Sequence, residues 1–449
     1  MNDKLNDALS EVKEEYIAQA ASYKRRRLPR WIGVAAAAVA MVIFLTTLLN
    51  PLTLHAKAVS EAHYPKYEWV YREETTKDAR SRLRDFFCDS IGNILSEGAD
   101  RNYTYSPINL YMGLSLAAEL TGGDAQILQA LNSTDLTSLR AQANEIWNAC
   151  YLDSGNQTLL ASSLWLDKEL EYNQSIMDTL ATNYYTSVYQ GNLGSDSTNK
   201  AIATWLDKQT GGMLKDHTKG ISLDPDTVLA LYSTVYYQAK WRDEFSAARN
   251  TSGTFHTPDG DATCTFMNKK EMHAYYYAGE NFGAISLSLK DSSQMWLILP
   301  DEGLSPKDVL ASGAYLDYVF PGGKKPVEGE DFKYMKVNLS LPKFDIQATS
   351  DLKPALQELG ITNIFDPAAD CLTNAVSWDL PTFFTNVNQA TRVAIDEKGV
   401  TAASYIEFPG AGAAMPPEEI IDFILDRPFL FVITNRYDLP LFAGIVNNP

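Results

Sequence analysis

The chain is poor in the residues that build metal and redox centres. Its 449 residues include four cysteines, Cys88, Cys150, Cys264 and Cys371, far apart and never paired as C-x-x-C. That spacing argues against a redox motif or a cysteine-rich zinc site. It leaves buried free thiols, or at most one odd disulfide, as the expectation. The five histidines are scattered and contain no H-E-x-x-H, so no zinc signature and no metal site is expected. Basic residues are also short: 38 Lys and Arg face 56 Asp and Glu, for a net charge of −18. Phosphate recognition needs clustered Lys and Arg, so nucleic acid is not an expected partner. The acidity reads as a solvated, self-repelling surface. There is no G-x-S-x-G and no P-loop. The S-x-x-K match at Ser197-Thr-Asn-Lys200 lacks an accompanying S-D-N or K-T-G, so neither an enzyme nor a cofactor is expected.

What is present begins with a charge-free run. Residues 1–30 carry a short amphipathic pattern of Leu5, Leu9, Val12, Tyr16 and Ile17, then the cluster Lys24-Arg-Arg-Arg27 with Arg30 beyond it. Trp31 to Leu49 follows without a charge and stops at Asn50-Pro51. As a helix this run spans roughly 28 Å, close to the ~30 Å hydrocarbon core of a bilayer. With Trp31 at an interface and the basic cluster before it, residues 31–50 are expected to anchor the chain in the cell membrane. Residues 1–30 would then be cytoplasmic and the rest extracytoplasmic. One alternative is secretion after cleavage near Ala56, where Ala56-Lys-Ala58 has a cleavage-like pattern, and a buried core helix is the other. Residues 51–78, with His63, Pro65 and many charges, read as a tether.

From residue 79 onward no repeat, low-complexity tract or Gly/Ser linker divides the chain. Arg84 to Leu95 is helical in pattern, with Phe86, Phe87, Ile91 and Leu95 on adjacent turns. Leu110 to Leu120 is a second helix, capped by Gly122-Gly123, and Ile202 to Gln209 a third, ended by Gly211-Gly212. Strands are expected at Thr227–Tyr237, Ser293–Leu299 and Lys336–Leu341. Phe429-Leu-Phe-Val-Ile433 is a continuous apolar run, expected to be a strand buried on both faces. Helices first and strands mostly later predict an α+β domain over 79–449 with large sheets.

One stretch near the C-terminus is more specific. Arg392-Val-Ala-Ile395 reads as a strand and Asp396-Glu-Lys-Gly-Val-Thr-Ala-Ala403 follows it. The chain then runs through small residues to Pro416-Pro417. Six further segments stand in a fixed order: Tyr105-Ser-Pro-Ile-Asn109; Thr210-Gly-Gly-Met-Leu214; Val235-Tyr-Tyr-Gln-Ala-Lys-Trp241 with Phe245; Leu341-Pro-Lys-Phe344; Leu359-Gly-Ile with Phe365; and Asp426-Arg-Pro-Phe-Leu-Phe431 with Leu441-Phe-x-Gly-x-Val-x-x-Pro449. In order and spacing these resemble the serpin family across roughly residues 80–449.

The resemblance implies a serpin-like fold with surrounding helices and an exposed reactive-centre loop. It further implies a monomer that traps a serine protease as a suicide substrate. Glu397, Lys398, Gly399, Val400, Thr401, Ala402 and Ala403 correspond to the hinge. Counting on as the family does places the reactive bond at Ala413–Ala414, flanked by Gly412 and Met415. Small side chains there imply a small-pocket target, elastase-like or subtilisin-like. The family mechanism requires the loop to become a strand, whose side chains alternate between faces. From Gly399 the inward set is Val400, Ala402, Ser404, Ile406, Phe408 and Gly410, none charged, and the only charge, Glu407, faces out. Tyr405 is bulky where the family prefers small residues, and Pro409 lacks a ladder N–H. The chain also departs from the family pattern at Ser233, Gln389, Asn109 and Ala203, the first three where the family's sheet opens. The alternative reading is a non-inhibitory serpin-fold binding protein or a plain protease substrate.

Overall fold

The computed structural model describes residues 56–64, 73–154, 156–224, 226–320, 329, 331–400 and 419–449. Ten helices are described: α1 Glu73–Glu97, α2 Pro107–Leu120, α3 Ala125–Ala130, α4 Leu136–Cys150, α5 Gln174–Asn183, α6 Asp196–Gln209, α7 Lys215–Thr218, α8 Pro306–Ser312, α9 Ala314–Val319 and α10 Lys353–Glu358. The strands are β1 Ala56–Ser60, β2 Tyr103–Tyr105, β3 Leu152–Ser154, β4 Asn156–Asp167, β5 Glu171–Tyr172, β6 Thr186–Gly191, β7 Leu229–Lys240, β8 Thr251–Thr257, β9 Gly260–Ala278 and β10 Phe282–Ser288. They continue with β11 Gln294–Pro300, β12 Phe332–Pro342, β13 Phe344–Asp351, β14 Val376–Ser377, β15 Asn388–Ile395, β16 Gly399–Val400, β17 Ile420–Ile424, β18 Phe429–Thr434 and β19 Pro440–Val446.

Two large sheets organise them. The first runs β1-β6-β4-β7-β16-β15-β13, with β3 paired to β4. The second runs β17-β12-β9-β10-β11-β18-β19-β2, with β8 paired to β9. The apolar run at 429–434 is β18, buried at every position as a strand covered on both faces must be. Helix α2 is apolar nearly all round, which a helix survives only inside a core, and thirteen of its fourteen residues are buried. Ser106 caps it by accepting from the Asn109 N–H, and Pro107 opens it, where a missing N–H costs nothing. Its far end is tied by a buried ion pair: the fully buried Glu119 carboxylate takes both arms of Arg140 and the Tyr184 hydroxyl. That arrangement joins α2 to α4 and to the end of α5.

The stretch 51–78, expected as a tether, is in part structured. β1 pairs antiparallel with β6, from Ala56↔Gly191 to Ser60↔Val188. The Ser60 hydroxyl donates to Asp178 at 2.8 Å, and the Tyr64 ring stacks on Trp147 and Tyr151. Helix α1 already starts at Glu73. The backbone of β1 gains ladder partners that an exposed sheet edge offers to any short extended segment. The amphipathic segment, the apolar run at Trp31–Leu49 and the Arg cluster lie outside the described residues. Among the described residues no helix is long and apolar enough to cross a membrane. The four cysteines are free, Cys88 and Cys150 buried and the other two half-buried.

Candidate functional site

Among the described residues the first sheet is interrupted: β7 and β15 share no ladder with each other, and only the two residues of β16 stand between them. Gly399 and Val400 pair with Lys240 and Ala239 of β7, and Val400 pairs with Ile395 of β15, antiparallel in both cases. Past that wedge a cavity continues between the two strands, lined by Val235, Tyr237, Thr391 and Val393, with Thr210, Met213 and Leu214 from the turn after α6. Arg392 ties this turn down, donating to the Met213 carbonyl at 3.1 Å while it holds Asp345 with two bonds of 2.8 and 2.6 Å.

The wedge is made by a tight turn. The Asp396 carboxylate accepts from the N–H groups of Lys398 (2.8 Å) and Gly399 (3.1 Å), and the Asp396 N–H donates to the Gly399 carbonyl (3.0 Å). The backbone of Trp241 and Phe245 donates to the carbonyls of Lys398 and Glu397, and the Trp241 indole donates to the Asp396 carbonyl at 2.8 Å. Gly399 has to be glycine. A Cβ there would lie 2.2 Å from the Ala239 carbonyl oxygen and 2.6 Å from Lys240 Cα, and rigid backbone cannot yield.

Glu397 locks the turn from outside. Its carboxylate meets Lys343 Nζ at 2.5 Å and accepts from the Asn250 amide at the same distance. Chiefly through Lys343, and against partial desolvation, its pKa falls to about 2. A carboxyl depressed in the folded state adds stability above its unfolded pKa and loses it as pH falls through the folded value. Acidification from about pH 4.5 towards 2 therefore weakens this lock, the unfolded value being near 4.3. Glu397→Gln is expected to flatten that part of the melting-temperature-against-pH curve and leave the neutral-to-alkaline part parallel to wild type.

Beneath the gap, three of the four departures from the family pattern meet. The Gln389 side chain clamps Ser106, accepting from its N–H at 2.8 Å and donating to its carbonyl at 3.1 Å. Asn109 donates to the Ser233 carbonyl at 3.1 Å, and the Ser233 hydroxyl accepts from Ser162 at 3.3 Å. Ala203 lies on α6, away from this cluster.

Of the hinge residues, Glu397, Lys398, Gly399 and Val400 are in the turn and wedge, with Val400 buried. Thr401, Ala402, Ala403, Gly412, Ala413, Ala414 and Met415 lie outside the described residues. The S-x-x-K pair lies on α6, where the Ser197 hydroxyl stands 3.1 Å from that of Ser195 and Lys200 is exposed. Sequence reading did not single out Lys343, Asn250 or Arg392 for the site. Lys343 sat in view within Leu-Pro-Lys-Phe, whereas Asn250 carried no pattern at all.

A pried-open central sheet with a strand begun in its gap is the architecture of a serpin. Residues 81–449 match the sequence profile of the family described as "Serpin (serine protease inhibitor)". This chain belongs to that family. Alpha-1-antiproteinase S of Cavia porcellus is 28% identical over 378 residues, spanning 81% of this chain and 89% of that protein. Among solved structures, tengpin, a thermophilic serpin in its native state, superposes with a TM-score of 0.73 at 21% identity, over 88% of this chain and all of its own. Thyroxine-binding globulin, in complex with thyroxine, superposes with a TM-score of 0.68 at 21% identity, over 83% and 99%. These structural likenesses bear on the fold.

Proposed function

We propose that the protein inhibits a serine protease by inserting its own cleaved loop into the gap between β7 and β15. The observation that carries this reading is the wedge itself. β16 already holds the antiparallel register that the next loop residues would follow. Continuing it sets Ala402 against Tyr237 and Val393, and Ser404 against Val235 and Thr391. Tyr237, Val393 and Thr391 are buried, so the uncharged even-numbered loop positions would face the core. Insertion of about 14 residues at ~3.3 Å each would carry a tethered protease some 45 Å. That displacement would pull apart the oxyanion hole and triad needed for deacylation.

The bait in this reading is Ala413–Ala414, with Gly412 and Met415 beside it. Side chains that small suit an elastase-like or subtilisin-like pocket. The chain is then consumed as a stoichiometric trap and turns nothing over. Incubation with an elastase-like and a subtilisin-like protease should give an adduct that survives SDS, with the chain cut near Ala413. Cleavage with no adduct from either would favour the plain-substrate reading, for which Tyr405 and Pro409 are the sequence grounds. We also infer that Trp31–Leu49 holds the domain at the outer face of the cell membrane. Recovery of the intact full-length chain in a soluble fraction would overturn that inference, and a mature N-terminus near Lys57 would replace it with secretion.

A further inference from the structure

We propose that the outward face of β9 and β12, centred on Tyr275 and Tyr334, is a docking surface for the protease that engages the loop. The proposal rests on the inhibitory reading above and adds to it where the protease binds before it is trapped.

β9 and β12 pair antiparallel, with Tyr275 opposite Tyr334 and His273 opposite Lys336. Their inward residues Ala274, Met335 and Val337 are buried, while Tyr275 and Tyr334 are 44% and 40% exposed. On the neighbouring edge strand β17, Ile420 and Ile424 are exposed as well, at 52% and 42%. Single exposed apolar residues are ordinary, but Tyr275, Tyr334 and Ile420 adjoin on one face of three neighbouring strands, a grouping of the kind that marks an interface, with Ile424 farther along the edge beyond Asp422. The aromatic members are held in place. Tyr275 stacks on Phe332 with centroids 4.8 Å apart and planes 3° from parallel, and sits 5.0 Å from the Tyr334 ring. Large rings already fixed by their neighbours lose little entropy on binding, which is why tyrosine is favoured at binding hot spots.

The patch adjoins the foot of the loop. The Lys336 N–H donates to the Glu419 carbonyl at 3.1 Å, Lys336 stands in register with Ile420, and Lys333 pairs with the Glu419 carboxylate at 3.2 Å. Tyr334 is two residues along the same strand, roughly 7 Å away. From Ala413 to Glu419 is six residues, at most about 20 Å of extended chain. A protease of about 220 residues has a radius of gyration near 17 Å. An enzyme of that size with its cleft on Ala413 can therefore reach the tyrosines. The partner surface that fits is an apolar rim beside that cleft.

The test uses the full chain with Tyr275→Ser and Tyr334→Ser together, and Tyr275→Phe with Tyr334→Phe as the ring-preserving counterpart. Trapping rates of the elastase-like and subtilisin-like proteases are followed against inhibitor concentration, which separates the encounter constant from the limiting rate of insertion. The serine pair is expected to weaken the encounter constant about tenfold or more. The limiting rate, the stoichiometry and the melting temperature should stay as in wild type, and the phenylalanine pair should behave as wild type throughout. An unchanged encounter constant in a serine pair that still traps overturns the docking surface and leaves the inhibitory reading standing. If the wild-type chain traps neither protease, both fall.

Discussion

A single cut between Gly410 and Met415 is expected to raise the melting temperature by about ten degrees or more. Among the described residues the central sheet has a gap between β7 and β15. From Leu229 to Gln238 on β7, and from Asn388 to Ala394 on β15, the facing edges have no ladder partner among the described residues. Cutting frees the loop's N-terminal part to continue β16, supplying both edges with backbone partners and burying Ile406 and Phe408. In the inhibitory reading the uncut form persists because the rearrangement is blocked, so its stability is kinetic. With an unfolding entropy of ~2 cal/mol/K per residue, a domain of about 370 residues shifts by only ~1.3 °C per kcal/mol. A ten-degree rise therefore reports several kcal/mol, more than any one side chain would give. Calorimetry of cut and uncut protein, with both fragments kept together, checks this. An equal or lower midpoint would mean that the gap does not accept the loop, and the inhibitory reading would lose its main support.

Ala402→Arg is expected to convert the inhibitor into a substrate, whereas Thr401→Arg, one residue away, is not. Extending the register of β16 places residue 402 beside Tyr237 and Val393, which are 3% and 2% exposed. The same extension places residue 401 beside Gln238 and Ala394, on the half-buried outer face. A guanidinium pushed inward lacks both water and a partner, at a cost of several kcal/mol. Trapping is a race between insertion and deacylation, and each 1.4 kcal/mol on the insertion barrier changes that race about tenfold. The number of inhibitor molecules consumed per protease silenced should rise at least tenfold for Ala402→Arg and stay within about threefold for Thr401→Arg. Cleavage near Ala413 should continue in both. Equal behaviour of the two variants would show that the loop does not follow the alternation of β16.

Much of this fold was legible because its central elements carry their burial in their own sequence. The run at Phe429 to Ile433, short, apolar and rich in aromatic and β-branched residues, reads as a strand covered on both sides. Helix α2 announces itself through Ser106-Pro107 at one end and Gly122-Gly123 at the other, the latter at φ of 72° and 94°. Gly399 stood out as a break after a strand-like run, whereas its role in a hinge came from the resemblance alone. Other features were not local. β1 has five residues, Ala-Lys-Ala-Val-Ser, whose conformation depends on the free edge of β6 rather than on their own pattern. The gap is a missing pairing between strands that begin about 160 residues apart, and periodicity cannot reveal what two strands fail to do. The clamp of Gln389 on Ser106 spans 283 residues. Sequence marked these positions as departures from the family pattern, and the structure shows what each of them bonds.

The gap also bears on how the protein must be handled. An interrupted ladder in the middle of a sheet is two strand edges facing each other, and an unpaired edge recruits any extended segment with compatible side chains. A strand from a second molecule meets the same backbone donors and acceptors as the chain's own loop. Warming a concentrated solution should therefore link molecules end to end before it unfolds them, with a rate that grows with concentration. A short synthetic peptide copying residues 400–411 should suppress the linking by occupying the opening first.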